Sequence, residues 1–317
     1  MLDVITMGET MVAMTAENAG SIKYADRFSK HIAGAESNFA IGITRLGFNA
    51  GWISKVGDDP LGDFVEFSVR GEGVDVSELK RDSDRPTGLM IKEILSKDRA
   101  RVFYYRKDSA ASAISVSDIN EDYLKQAKYI HLSGITPALS SSAREAVLRV
   151  IEIAAENKIK ISFDPNIRQK LWRDKEKMKK VLLEIIKKTD IILPGIEEAE
   201  ILLGIKEPEK AAKKFHQLMG GTVVLKLGEQ GALYYDGKKM DKIDAYPVEE
   251  VVDPIGAGDA FAAGLIAGFL KEMNLAEAVK LANLVGAYCV RVRGDIEGLP
   301  SWREVEIIQG EQSEMQR

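Results

Sequence analysis

Short apolar runs alternate with longer stretches in which apolar residues return every three or four positions. The runs at 4–7, 50–56, 129–132, 160–163, 191–193 and 222–227 are continuous rather than alternating. That pattern predicts strands buried on both faces. Between them, 36–46, 62–71, 142–157, 175–188, 196–203 and 211–219 carry a helical period. Ser142-Ala143-Arg144-Glu145 has the spacing of a capping box ahead of an apolar-periodic run. Alternation of this kind predicts βα units around a mostly parallel sheet.

Two segments break the rhythm. Residues 11–31 and 87–106 lack a helical period, and the second places β-branched, apolar and aromatic residues on both sides of Ser96-Lys97-Asp98-Arg99. That is a hairpin signal. We expect 11–33 and 86–107 to form a small β lid on an α/β domain made of 1–10, 34–85 and 108–310. The polar residues 310–317 read as a frayed tail, with 311–317 outside the domain.

Composition narrows the function classes. The 317 residues are 45% hydrophobic and 29% charged, enough apolar material for a packed core. The formal charge of −5 argues against nucleic acid as a partner. No apolar run is long enough to span a bilayer, and the N-terminus lacks the basic start of a signal peptide. A soluble, cytoplasmic protein without a membrane partner is expected. The single cysteine, Cys289, excludes an internal disulfide framework and sits in an apolar helical stretch, as a buried thiol would.

The sharpest chemical feature is Val252-Asp253-Pro254-Ile255-Gly256-Ala257-Gly258-Asp259-Ala260-Phe261, which opens an apolar helix. Small residues at 256–258 let the backbone approach a ligand closely. The free N–H groups and dipole of the helix start favour an anion there. An acid inside an anion site repels a merely bound phosphate. It makes sense if Asp259 takes a proton from a hydroxyl while the N–H groups stabilise a phosphoryl group in transfer. The residues alone leave a second reading open, in which Asp259 only caps the helix. A dinucleotide fingerprint is excluded because Phe261 stands at its third glycine, and no Gly-Lys-Ser/Thr of a P-loop is present.

Gly256-Ala257-Gly258-Asp259 in this setting resembles the signature of the ribokinase-like sugar kinases, the PfkB family. Ala33-Gly34-Ala35-Glu36-Ser37-Asn38 is similar to that family's Gly-Gly-x-x-x-Asn segment, with Ala33 at the first glycine. The resemblance runs from Gly8-Glu9 to Gly294-Asp295. It implies a ribokinase-like, Rossmann-type three-layer α/β sandwich with a small β-sheet lid. Within the family, Val102–Lys107, His131–Pro137, Asp164–Arg168 and Asp253-Pro254-Ile255 resemble the branch acting on 2-keto-3-deoxygluconate.

The resemblance also implies roles. Asp259 would be the base, and Gly256, Ala257 and Gly258 the anion hole. Gly34, Asn38, Tyr104, Arg106, Arg168 and Asp295 would face the sugar acid. Lys226, Gly228 and Gly231 would belong to the nucleotide loop, with Asn283 beside the adenine or ribose and Asn166 near the phosphates. ATP and Mg²⁺ would be the cofactors. Glu198 would serve the metal, although Gly195 stands where the family often has Asn. The lid offers an edge for pairing with another subunit, so a homo-oligomer is expected.

A carboxylate-bearing sugar suits arginine, whose planar fork matches it. Arg106 and Arg168 fit that task, and either alone also fits a salt bridge. Tyr104 and Tyr105 point to opposite faces of a strand. One is expected to pack inward and the other, Tyr104 by resemblance, to touch ligand. His31, His131 and His216 read as structural, as do Trp52, Trp172 and Trp302. The lysines of 175–188 read as a solvated helix face. A kinase for fructose or ribose, and a non-catalytic relative, remain open.

Overall fold

The computed structural model describes residues 1–96 and 99–315, the last five as backbone only. Thirteen strands follow in chain order. They are β1 (Val4–Met7), β2 (Met11–Ala16), β3 (Phe28–Ala33), β4 (Ala50–Gly57), β5 (Leu79–Asp82), β6 (Leu89–Ser96) and β7 (Arg99–Tyr105). The rest are β8 (Tyr129–Ser133), β9 (Lys160–Asp164), β10 (Ile191–Ile192), β11 (Thr222–Lys226), β12 (Ala232–Tyr235) and β13 (Met240–Ile243). The larger sheet has the order β13-β12-β11-β10-β9-β8-β1-β4-β5. It is parallel from β11 to β5, and β12 and β13 add an antiparallel margin.

All six apolar runs are strands of this sheet. Alternate residues within a run serve opposite cores. Val4 and Trp52 lie on one side with Phe39, Ile41 and the apolar helix Ala257–Leu270. Ile5 and Ile53 lie on the other with Val147, Leu182 and Phe215. Helices therefore cover both faces, and the three-layer sandwich expected from the sequence is present. β5 and β13, the strands of this sheet without an apolar run, lie at its margins, where polar positions such as Lys80, Arg81, Asp241 and Lys242 are tolerated, and the apolar β12, which the sequence reading did not include, lies next to one of them.

The two segments that broke the rhythm build a second sheet, ordered β3-β2-β6-β7. β2 pairs antiparallel with β3 and parallel with β6, so two excursions distant in sequence meet in one sheet. β6 and β7 form the expected antiparallel pair, while Lys97 and Asp98 of the expected turn lie outside the described residues. One face carries Met11, Ala13, Ala33 and Met90, with Val102 packed on them, and looks across a cavity at Asp253–Ile255 and Asp295, whereas Val12 and Ile32 on the opposite face join the core of the larger domain.

Three local expectations are corrected. The helix expected to start at Ser142 is capped by Ser140, whose Oγ accepts from Ala143 N at 3.0 Å; Ser142 lies inside the first turn. Tyr104 and Tyr105 are both exposed, at 47% and 61%, because β7 is an edge strand that neither face covers there. The chain end is helical, Trp302–Met315, rather than frayed from 310, and Gln316 and Arg317 lie outside the described residues.

Other readings hold. Cys289 is fully buried, and loss of hydration pushes its thiol up to about 12. The helix Lys175–Ile186 buries Met178, Val181, Leu182, Ile185 and Ile186 and leaves its lysines outside, except that Lys179 is partly covered. Trp52 is fully buried, whereas Trp172 and Trp302 lie half-buried against Arg144 and Lys271. His216 bonds to Gly221 O at 2.8 Å and packs on Tyr235. Among the described residues, no helix is long and apolar enough to cross a membrane.

Candidate active site

Parallel strands deliver their C-terminal ends to one edge, where ligands of open α/β sheets bind. β1 leads to Glu9, β8 to Ser133, β9 ends at Asp164, and β11 at Lys226. The helix Ala257–Leu270 starts against this edge. Gly256, at its N-cap, has φ +81°, and a Cβ there would stand 2.5 Å from Asp295 O. Only glycine meets both demands. Gly258 differs: a Cβ would find Lys226 Nζ at 3.6 Å and Asp164 Oδ2 at 3.9 Å, so its protein surroundings are open.

Asp259 stands in the first turn of this helix. Asn38 Nδ2 donates to its Oδ2 at 2.9 Å, and Asn166 Nδ2 lies 3.5 Å from its Oδ1. Loss of hydration, reinforced by the charges of Asp164, Asp295 and Glu36, pushes the carboxyl up to about 8; the Asn38 bond opposes the rise. A carboxylate with proton affinity near neutrality is suited to accept a hydroxyl proton. Asp295 is pushed up to about 6, again chiefly by loss of hydration, while Asn38 and Lys92 hold it down.

Asp164, Glu198 and Asp259 share the ammonium group of Lys226. Lys226 bonds to Asp164 Oδ2. Burial favours its neutral form, but Asp164, Glu198 and Asp259 outweigh this and hold the ammonium above its ordinary range. Glu198 accepts from Ile167 N at 2.7 Å and Gly195 N at 2.8 Å, so its carboxylate also caps the helix Ile196–Leu203. Burial and Asp164 raise its proton affinity, against the pull of Lys226. Asn166 sits at φ +37° in the turn after β9, its N–H bonded to Asp164 Oδ1. Asparagine tolerates that region better than most residues.

Two cavities open from this edge. A cleft of about 770 Å³ is lined by Lys226, Gly228, Gly231, Ala257, Gly258 and Asn283. It gathers the residues expected to serve a nucleotide, except Asn166. Asn283 donates its amide to Ile243 O and Asp244 O, tying the end of β13 to the cleft wall. A second cavity of about 580 Å³ lies between the inner lid face, with Ala13, His31, Met90 and Lys92, and the segment Asp253–Ile255 with Asp295. Lys92 Nζ meets Asp253 Oδ2 across it at 2.7 Å, and His31 Nδ1 meets Glu297 Oε1 at 2.7 Å.

The candidate sugar residues divide. Asp295 lines the lid cavity. Gly34 is packed so closely on Glu9 O and Thr10 that a Cβ would stand 2.5 Å from the former. Arg106 is tied to Glu9, a residue the sequence reading left without a role. Arg168 is exposed, and among the described residues its guanidinium has no hydrogen-bond or ion-pair partner. Glu36 also escaped the sequence reading. It is buried, accepts from Ser133 and Thr136 Oγ groups at 2.6 and 2.8 Å, and is pushed upward by loss of hydration. An acid on the buried face of a helix, in step with Ala40 and Ile43, was the available signal. His131 is stacked on Phe39 and bonded to Ser162; burial lowers it to about 4, so it is a neutral core residue.

The family model for pfkB carbohydrate kinases matches residues 1–302. The chain belongs to this family. It is a sugar kinase with the ribokinase-like fold. It is similar to the 2-dehydro-3-deoxygluconokinase of Bacillus subtilis, 40% identical across 95% of this chain and 93% of the relative. The enzyme of the same name from Thermoproteus tenax is 37% identical across 96% and 94%. An uncharacterized sugar kinase from Pyrococcus horikoshii, solved in complex with ATP, superposes with a TM-score of 0.82 at 31% identity, covering 95% of this chain and 96% of that one.

Proposed function

We propose that this pfkB kinase transfers the γ-phosphoryl group of ATP to the primary hydroxyl of 2-keto-3-deoxygluconate, giving the 6-phospho product. The observation that carries the chemistry is Asp259, an acid of raised proton affinity at a helix start, between the 770 Å³ cleft and the lid. The relatives' names supply the substrate.

In this reading ATP occupies the cleft beside Lys226, Gly228, Gly231 and Asn283. Asp259 takes the proton of the acceptor hydroxyl as its oxygen bonds to the γ-phosphorus. The bond to the β–γ bridging oxygen breaks, and ADP leaves with that electron pair. The N–H groups at Gly256, Ala257 and Gly258 receive the charge spread over the phosphoryl oxygens. Gly34, Tyr104, Arg106, Arg168 and Asp295 orient the sugar acid. Lid closure keeps water from competing with the hydroxyl.

Magnesium fits the donor set. Asp164, Glu198 and Asp259 outnumber Lys226, so a tetra-anionic nucleotide needs added positive charge here. Among the described residues no cluster of three metal-binding side chains forms a cage. Mg²⁺ keeps waters and phosphate oxygens as ligands and needs few from a protein. Glu198 would help to hold it, and the ion would neutralise charge on the phosphates.

We further propose a homo-oligomer that pairs through the lid. β7 is a free sheet edge bearing exposed Tyr104 and Tyr105. Light scattering on the wild type and on Tyr105→Glu tests this; a monomeric wild type refutes it. We also propose a cytoplasmic location, a compartment in which ATP is available.

One observation favours a neutral sugar instead: the charge of Arg106 is already met by Glu9. ATP consumption with Mg²⁺ across 2-keto-3-deoxygluconate, 2-keto-3-deoxygalactonate, gluconate, fructose and ribose decides. Preference for the keto-deoxy acids supports the proposal. Preference for fructose or ribose leaves Asp259 in place and removes the acid substrate.

A further inference from the structure

Lys92 stands on β6, an internal strand of the lid sheet, in register with Thr15 on one side and Val102 on the other. Its position is therefore that of the lid as a whole. Its ammonium crosses the lid cavity to Asp253 Oδ2 at 2.7 Å, and the two side chains are 14% and 9% exposed. Opposite charges so far out of water hold each other more tightly than a surface pair. Val251 and Pro254, flanking Asp253, line both the nucleotide cleft and the lid cavity, so this segment is a wall between them. Val252 N and Asp253 N donate to Val290 O at 2.8 and 3.2 Å, and Asp253 Oδ1 accepts from Ile255 N at 3.2 Å. Three residues on, Gly256 caps the helix that carries Asp259. The other bridge across the cavity, His31 to Glu297, is more exposed and reaches the segment after Asp295 instead.

We propose that Lys92 is a positioning residue that couples the two cavities: through Asp253 it sets the wall they share, so that sugar and nucleotide each tighten the binding of the other. This rests on the reading of the cleft as the ATP site and of the lid cavity as the sugar site. With the pair intact, a sugar that seats the lid also holds Asp253, and the segment leading into Gly256 is ordered before the nucleotide arrives. Less ordering then remains for the phosphates to impose on the N–H groups they meet. Linkage makes the effect reciprocal. The same ammonium holds Asp295, the acid expected to face the sugar, toward its charged form, so one cation acts on the wall and on the sugar side. An ammonium has three protons, and Asp253 takes one. A sugar carboxylate in the cavity is the competing partner for the others, and the test separates the two roles.

Titration calorimetry measures the Kd of a non-hydrolysable ATP analogue, with Mg²⁺, in the absence and presence of saturating sugar, the sugar being the one that the ATP-consumption panel selects. In the wild type the analogue is expected to bind roughly 10-fold tighter with sugar, and the sugar to bind tighter with the analogue by the same factor. Lys92→Met keeps the apolar stem and removes the ammonium. It is expected to bring both ratios to within about twofold of unity, and to lower kcat by roughly 10-fold because the N–H groups of the helix start are less well placed. If Lys92→Met does not fold, because Asp253 is left uncompensated, the double variant Lys92→Met/Asp253→Asn buries no unpaired charge and carries the same test. A wild type without coupling overturns the proposal, and so does a variant that keeps it. If the variant keeps the coupling and loses affinity for a sugar acid far more than for fructose, Lys92 is a ligand of the acid instead. The underlying reading fails separately: no ATP-dependent turnover on any sugar of the panel removes both, whereas turnover without coupling removes only the role of Lys92.

Discussion

Arg106 Nε donates to Glu9 Oε2 at 2.6 Å, with the carboxylate 1% and the guanidinium side chain 10% exposed. Glu9 also accepts from Ser109, so the pair pins the end of β7 to the end of β1. The arginine offered by the sequence as a carboxylate clamp is thus already neutralised. Its remaining donors suit neutral oxygens, and the unpaired charge belongs to Arg168.

Arg168→Ala is therefore expected to weaken binding of the sugar acid more than of an uncharged analogue, by roughly 10-fold or more, as for loss of a charge-assisted bond. Glu9→Gln frees the charge of Arg106 and is expected to improve the acid relative to the analogue. It also leaves a buried charge uncompensated, costing about 3–5 kcal/mol of stability. Titration calorimetry with both ligands, alongside chemical denaturation, measures each effect. Equal losses for the two ligands in Arg168→Ala remove the charge argument.

Asp259→Asn is expected to lower kcat by roughly 10²–10⁴, the worth of a positioned base, with ATP binding retained. Steady-state rates and nucleotide titration check this. Near-normal turnover would return Asp259 to the role of a helix cap.

The raised carboxyls also set a stability trend. Asp259, pushed up to about 8, and Asp295, to about 6, bind more protons in the folded chain than in the unfolded one, where both titrate near 3.8. Their contribution is complete below that value and is lost as pH rises through 6 and then 8. The melting temperature of the ligand-free protein should fall between about pH 4 and pH 8, and Asp259→Asn should flatten the upper part of the fall. A variant whose melting curve parallels the wild type would show that Asp259 ionises freely.

The two glycines of the helix start should behave differently. Gly256→Ala meets a positive φ and a carbonyl oxygen, and is expected to cost roughly 1–3 kcal/mol. Gly258→Ala meets only ordinary contacts and should leave stability within about 0.5 kcal/mol. It should still depress turnover, because the added methyl enters the space proposed for the phosphates. Melting curves and rates on both variants separate fold from site; full activity in Gly258→Ala would place the phosphates elsewhere.

What the sequence made legible follows from where its apolar residues lie. The central strands are buried on both faces and declared themselves as runs, such as Thr222–Lys226. β5 and β13 are polar and marginal, and carried no such signal. Asp259 was legible because glycines and an apolar helix frame it within ten residues. Glu9, Glu36 and Lys92 were not, because each gains its meaning from a partner far along the chain: Arg106, Ser133 and Asp253. The capping serine shows the same limit at short range. Serines stand at 140, 141 and 142, and only backbone geometry selects the first.

The smaller sheet is attached by four short crossings of the chain: between β1 and β2, from β3 into the helix beginning at Ala35, between β5 and β6, and from β7 to the turn at Ala110. A flap sewn down by four stitches cannot swing like a door on one pin. Any movement must be shared among all four, and residues in or beside them, including Glu9, Gly34 and Arg106, are among those assigned here to the sugar or to its holder. On the proposed reading the seam and the substrate pocket are one piece of hardware, so a sugar that fits poorly there would also hinder the flap from settling.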